Sequence, residues 1–497
     1  MFPENSSVAR SWTVVGVALG LSLLAAGPAL ADRSAELPLG IPSSMSEHAE
    51  HATIRLNGPS GNGGEPYVSP RDPADRPDVT VYGYWPYWGD PMATVPIELL
   101  THLAVFSVNL NPDGTLEDVS RWHRYGPEAM ALAEPFGVKV HLSLTCFSDA
   151  IMGAMLPSAS RRATTVRELA QLVEEYGAHG VNVDFEGLNL SLKQDFVKFI
   201  QELSVAVDEV YLAMPAVDWA GAYDFDELAY ASEGLFIMGY GYHWSGGNPG
   251  PLAPLFGGGI WADHSLDWTV NDYRRWGTPD DRIVLGLPLY GRDWPTVDRS
   301  VPGTATGSGS AVVYSSAVPK GLDYGRRWNA STKTPYAFPS SQDQLWYDDA
   351  SSLTIKTRYS VAEKLQGFGF WALTYADSDP ELWKEIEAVS HFDIEVEAPV
   401  PGRAGENNVF VARGVTPGTR AHIVWGTSAG RSPLRGCEAV IDLHNPRVLG
   451  SAIADAEGVV RITEYVPSRF AGRSIGLQGV EGNDCEVGPA IRIRFSQ

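Results

Sequence analysis

The sequence predicts an α/β fold, a (β/α)8 TIM barrel with an insertion after strand 7, followed by a small C-terminal all-β sandwich domain. Three observations carry this. Between residues 79 and 373, eight short apolar runs alternate with helical patterns. No Gly-rich phosphate loop follows the first run, where "GYWPYWGD" stands, which disfavours the doubly wound open sheet. From residue 399 the texture turns to short alternating strands punctuated by Gly, Pro and Asn.

Taken in order, residues 1–31 read as a signal peptide. Arg10 precedes the apolar run "WTVVGVALGLSLLAAGPALA", whose small-residue end and Gly27-Pro28 favour cleavage after Ala31 over an uncleaved anchor. The protein is therefore expected to be secreted, or to stay in the periplasm or cell envelope, with no membrane association after cleavage. Residues 32–77, rich in Pro, Gly and Ser, read as a flexible linker. Residues 78–391 hold the barrel, with strands expected at 79–84, 102–110, 138–145, 180–186, 210–215, 234–240, 282–290 and 367–373. Two helices are well marked. "TTVRELAQLVEEYG" turns Val166, Leu169, Ala170, Val173 and Tyr176 to one face, with Thr165 and Glu168 spaced as a capping box. "SLKQDFVKFIQELSVAV" turns Phe196, Phe199, Ile200, Leu203 and Val207 inward, with Ser191 and Gln194 as caps. The stretch of about 292–345 is too long for an idle loop and emerges on the C-terminal face of the barrel. Residues 399–497 form the sandwich, expected to act as a spacer.

The net charge of -23 argues against nucleic acid and anionic membranes as partners, but not against a neutral polysaccharide. The 3 Cys fit an exported protein that leans little on disulfides: Cys437 and Cys485 are close enough in sequence to pair, and Cys146 reads as an apolar filler. No CxxC or HExxH spacing implies a metal, and His48 and His51 read as linker. No cofactor is expected, and a monomer is.

The chemistry concentrates in "GVNVDFEG" at 180–187. Alternation places Asn182, Asp184 and Glu186 on one face of the fourth strand, aimed at the barrel axis. Catalytic groups in such barrels sit at the C-terminal strand ends. Two carboxylates two residues apart on one strand cannot flank a glycosidic bond as acid and nucleophile. One can still hold a proton for the other, which leaves the nucleophile to come from elsewhere.

At this point the chain resembles glycoside hydrolase family 18, the chitinases and related N-acetylglucosaminidases. "HGVNVDFE" matches the family's DxxDxDxE at Asp184 and Glu186. "MGYGYHW", "LGLPLYGR" and "LWYDDASSL…GFGFWAL" match three later segments in order. The resemblance implies a retaining hydrolase of β-1,4-linked N-acetylglucosamine polymers, chitin-like or peptidoglycan glycan, in which the substrate's own acetamido oxygen is the nucleophile. It implies Glu186 as acid and base, Asp184 as the group that orients the acetamide, and Tyr240 as its hydrogen-bond partner. Trp371 becomes the floor of the subsite. Tyr84 and Ser143 support the inner acids, and Asn182, Met238 and Trp244 complete the substrate-binding set. Gly367 and Gly369 share the Trp371 face and are read as room for the sugar. Trp85, Trp88, Trp219, Tyr242 and Trp294 are further aromatic candidates past strand ends. The departures are His179, Asn182 and Gly241, each standing where the family has Asp. They keep alternative readings open: a catalytically weak or inactive carbohydrate-binding lectin, or an endoglycosidase on N-glycans.

Overall fold

The computed structural model describes residues 67–71, 76–89, 92–376, 379–391, 394–434, 439–481 and 486–497. The expected signal peptide, most of the linker, and Cys437 and Cys485 lie outside them. Among the described residues no helix is long and apolar enough to cross a membrane.

Eight strands form the barrel: β1 (Thr80–Pro86), β2 (His102–Leu110), β3 (Lys139–Cys146), β4 (Gly180–Phe185), β5 (Glu209–Pro215), β6 (Gly234–Met238), β7 (Ile283–Pro288) and β8 (Gly367–Trp371). They pair in parallel in chain order, and β8 pairs back onto β1 to close the ring. The runs are apolar on both faces because helices cover the outside while side chains fill the inside. Four expected strands end early, among them the seventh at Pro288 and the eighth at Trp371. β4 stops at Phe185 and β6 at Met238, so Glu186 and Tyr240 stand just beyond the ladder.

Packing decides the helix ends. The first marked helix runs Ala159–Tyr176, so Thr165 lies inside it and is no cap. Its buried hydroxyl donates to the Gly114 carbonyl at 2.8 Å, while Glu168 accepts from the Leu116 amide at 2.9 Å. The second runs Lys193–Ser204. No side chain caps it: Asn189 accepts from the Ser191 amide in the short turn Leu190–Leu192 just before it, and Gln194 instead donates to Asp224 at 2.7 Å. Its inward residues Phe196, Phe199, Ile200 and Leu203 are buried as expected.

The insertion is ordered. Strands Tyr290–Pro295, Ser310–Val313, Arg327–Asn329, Thr334–Ala337 and Asp343–Trp346 make one antiparallel sheet beside the barrel. At the C-terminal end, three sheets built from short antiparallel strands enclose a core around Phe410, Ile423 and Leu477. Charged contacts hold this unit to the helices before and after β8. Arg358 pairs with Asp442, Arg431 with Glu385 at 3.3 Å, and Arg492 with Glu363 at 3.0 Å. At the other end of the described chain, Tyr67 and Ser69 both donate to Glu387 on the helix Pro380–Ser390.

Candidate active site

The strand register assembles the site at the C-terminal end of the barrel. Asp184 on β4 pairs with Thr145 on β3, and one step deeper Asn182 pairs with Ser143. Asn182 and Ser143 are fully buried and Asp184 is 2% exposed, while Glu186 is half-buried at the mouth. The Glu186 amide donates to the Cys146 carbonyl at 3.1 Å, which ties the residue to the end of β3. Thr145 beside Asp184 is itself fixed, donating to Asn109 Oδ1 at 2.7 Å.

Tyr84 on β1 joins this group. Burial pushes its hydroxyl well above the usual phenol range, with the nearby Asp184 carboxylate, Tyr240 and Glu186 adding to the effect. The Asn182 amide faces the hydroxyls of both Tyr82 and Tyr84, yet closes no well-formed hydrogen bond to either. The Ser143 hydroxyl likewise has no hydrogen-bond partner among the described residues. A buried polar layer of this kind, incompletely satisfied directly beneath two carboxylates, is expensive to maintain, which sets it apart from ordinary packing.

Trp371 ends β8 and is 3% exposed. Tyr84, Phe106 and Trp88 stand steeply tilted to it, with ring centroids 5.5, 4.8 and 6.1 Å away. Tyr240 is half-buried past β6 and packs edge-on against Tyr290 at 6.1 Å. Met238, 9% exposed, closes β6 beneath it. Trp244 lies half-buried further along the same loop, folded over Gly246. Gly241 has φ +77°, a conformation that strains any side-chain-bearing residue, so this backbone and the Asp of the family pattern do not go together easily.

Some sequence readings are corrected. Gly369 leaves no room for a sugar: a Cβ there would meet the Phe236 ring at 2.6 Å, and one at Gly367 would strike the Thr80 carbonyl of β1. These glycines admit a core phenylalanine and a close strand. Trp85 lies within β1 and Trp294 within an insertion strand, and both are buried, as core and not platform. Tyr242 spends its hydroxyl on Thr269 at 2.6 Å. Trp88 and Trp219 remain half-buried near the mouth, with Trp219 packed on His264 at 4.8 Å. Cys146 is a buried free thiol raised to about 11 by burial, in keeping with a filler.

Sequence reasoning missed Tyr223 and Asp218. The Tyr223 hydroxyl donates to the Phe185 carbonyl at 2.7 Å, bracing the turn that carries Glu186. Asp218 in turn accepts from the amides of Ala222 and Tyr223 at 3.1 and 3.0 Å. Only an Asp and a Tyr five residues apart in a loop after β5 signalled them.

The glycosyl hydrolases family 18 profile matches residues 80–376, the whole barrel from β1 past Trp371. The chain belongs to glycosyl hydrolase family 18. Among relatives of this family-18 chain, it is 28% identical to mouse chitotriosidase-1 over 259 residues, covering 45% of this chain and 55% of the mouse protein. It is 23% identical to the cortical fragment-lytic enzyme of Bacillus anthracis over 313 residues, covering 59% and 69% of the two chains. A putative sporulation-specific glycosylase of Bacillus subtilis, 24% identical, is spanned over 65% of its length. The chain thus spans between 55% and 69% of the length of these relatives. The fold is also that of a GH18 chitinase from Cycas revoluta in complex with (GlcNAc)3, with TM-score 0.56 and 21% identity over 62% of this chain and 99% of the other. A chitinase-like agglutinin from Robinia pseudoacacia superposes at TM-score 0.55 with 23% identity, over 62% and 99% of the two chains.

Proposed function

We propose that this chain is an exported, retaining glycoside hydrolase that cleaves β-1,4-linked N-acetylglucosamine polymers by substrate-assisted catalysis. The observation that carries the reading is the stack on β4: buried Asn182, nearly buried Asp184 and half-open Glu186 rise on one face toward the mouth, beside Tyr84. Glu186, the acid nearest solvent, gives its proton to the departing glycosidic oxygen as the acetamido oxygen bonds the anomeric carbon. It then takes a proton from the water that opens this cyclic intermediate. The two attacks, each inverting, return the original configuration. Asp184 orients the acetamide and accepts its N–H, Tyr240 hydrogen-bonds the same group, and Trp371 floors the subsite. A chitotriosidase and cortical fragment-lytic enzymes among the relatives support a substrate of this class, chitin-like or peptidoglycan glycan.

The test is release of 4-methylumbelliferone from N-acetylglucosamine di- and trisaccharide conjugates by the full chain and by Glu186→Gln. Loss of the general acid lowers turnover by about 10²–10⁴-fold. Parallel digestion of chitin and of peptidoglycan strands assigns the polymer. A second reading rests on Asn182 and Gly241, which replace two acids of the family pattern: a sugar-binding lectin. It takes over if parent and variant bind chito-oligosaccharides equally and neither turns over any conjugate.

A further inference from the structure

The end of the barrel opposite the carboxylates holds a second cluster that the proposed hydrolysis does not use. His102 opens β2, His141 is the third residue of β3, and Glu209 opens β5. Both imidazoles point Nε2 at one atom, Glu209 Oε2, each at 3.2 Å. The ligating atoms of all three lie within 4.8 Å of one another. His141 is fully buried, His102 is 6% exposed, and the Glu209 side chain is 14% exposed, so the carboxylate is the most open of the three.

The rings are held from behind. His141 Nδ1 meets the Tyr82 hydroxyl at 3.0 Å and His102 Nδ1 meets Thr101 Oγ1 at 2.8 Å. Both backing groups are hydroxyls, able to donate to a bare Nδ1 or accept from a protonated one. Either histidine can therefore carry its proton on Nδ1 and free the Nε2 lone pair, without losing a hydrogen bond. Two imidazoles oriented through the far nitrogen, with their other nitrogens converging on one carboxylate, are the arrangement that metal-binding histidines require.

We infer that His102, His141 and Glu209 form a binding site for a divalent transition-metal ion of the zinc class. Ligands about 2.0–2.1 Å from a tetrahedral zinc stand roughly 3.3 Å apart, close to the two nitrogen–oxygen separations found here. Only the two histidine nitrogens must draw together. Lys139 pairs with the other carboxylate oxygen, and its side chain is 45% exposed. It can stay as an outer partner of Glu209 or swing into solvent to offset the arriving charge. A water completes the fourth position on the open side. The ion ties β2 and β3 to β5 across the barrel floor and acts as a clamp, away from the sugar chemistry. Without it, both Nε2–H groups donate to Glu209, so the two forms differ in where the imidazole protons sit.

The test uses the full chain freed of metal with a chelator. Zinc chloride is titrated by calorimetry, cobalt(II) uptake is followed by its visible absorption, and thermal unfolding is recorded throughout. The expected result is one ion per chain, an intense tetrahedral-type cobalt spectrum, and a raised Tm. His102→Gln and Glu209→Gln each weaken binding at least tenfold, while circular dichroism confirms that they fold. His48→Gln/His51→Gln leaves stoichiometry and affinity unchanged. The inference is overturned if the parent takes up no stoichiometric ion, or if uptake survives in a His102→Gln/Glu209→Gln double variant. It is equally overturned if uptake vanishes on removing His48 and His51. Should the floor variants fail to fold, the cobalt spectrum of the parent decides, because a site of two nitrogens and one carboxylate oxygen gives a different spectrum from a hexa-aquo ion.

Discussion

Replacing Asn182 with aspartate sets a second carboxyl two residues below Asp184 on the same face of β4, in a fully buried position. Two residues of strand span about 6.6 Å. At an effective dielectric of about 20, two unit charges at that distance repel by roughly 2.5 kcal/mol, equivalent to nearly two pK units. Burial of the new group adds to the cost of ionising both. The pair therefore keeps one proton to a higher pH than Asp184 alone does, and the ascending limb of the kcat profile moves up by between one and two pH units. The neutral amide of the parent cannot pass that proton on, so turnover at the new optimum also rises. The assay is conjugate hydrolysis from pH 3 to 9 for parent and Asn182→Asp, with circular dichroism to confirm folding. Profiles superimposing within about 0.3 unit would refute the placement of Asn182 as the electrostatic neighbour of Asp184.

Truncating Trp371 to alanine removes a nearly buried ring contacted by Tyr84, Phe106 and Trp88, and should cost about 3–5 kcal/mol of stability. Trp371→Phe keeps most of the packing and should raise KM more than it lowers kcat; urea melts and Michaelis curves separate the two effects, and an unchanged KM counts against the floor role. Acid should unfold the chelator-treated chain from its barrel floor. Unfolded histidine binds a proton near 6.5 and buried His141 only near about 4, so unfolding takes up a proton between those values. Stability then falls as pH drops through that window, by up to about 3 kcal/mol. Glu209, held far below the usual carboxylate range by its histidine and lysine donors, pulls the same way below about 4.5. Urea midpoints at pH 7.5 and 4.5 check this, and His141→Gln should flatten the difference.

What the sequence made legible follows from period and reach. Each barrel strand is buried on both faces, so its apolar run stands out, and all eight runs fall on the strands found. Asp184 and Glu186 were visible because alternation along one strand is local, and the family pattern spans that same stretch. Groups brought together by register were not visible. His141 and Glu209 lie 68 residues apart and meet only because the register, passing through Gly180 of β4, sets the third residue of β3 level with the first of β5. Thr165 and Glu168 satisfy the spacing of a cap, but the helix extends upstream of them and uses both to hold the loop at Gly114 and Leu116. Gly369 looked like space for a ligand. One side of a strand says nothing about Phe236 on another, which fills that space.

The order of synthesis has a bearing on activity. Both acids lie in the middle of the barrel sequence, but Trp371, the proposed floor beneath the sugar, comes from its last strand and rests on Tyr84 from its first. Until residues 367–371 leave the ribosome, β1 has β2 on one side and a bare edge on the other, as does β7. A nascent chain with Asp184 and Glu186 already made therefore has carboxylates but no pocket. On the proposed function, closure of the ring is the event that switches catalysis on, and a chain cut short before β8 carries its acids without a pocket.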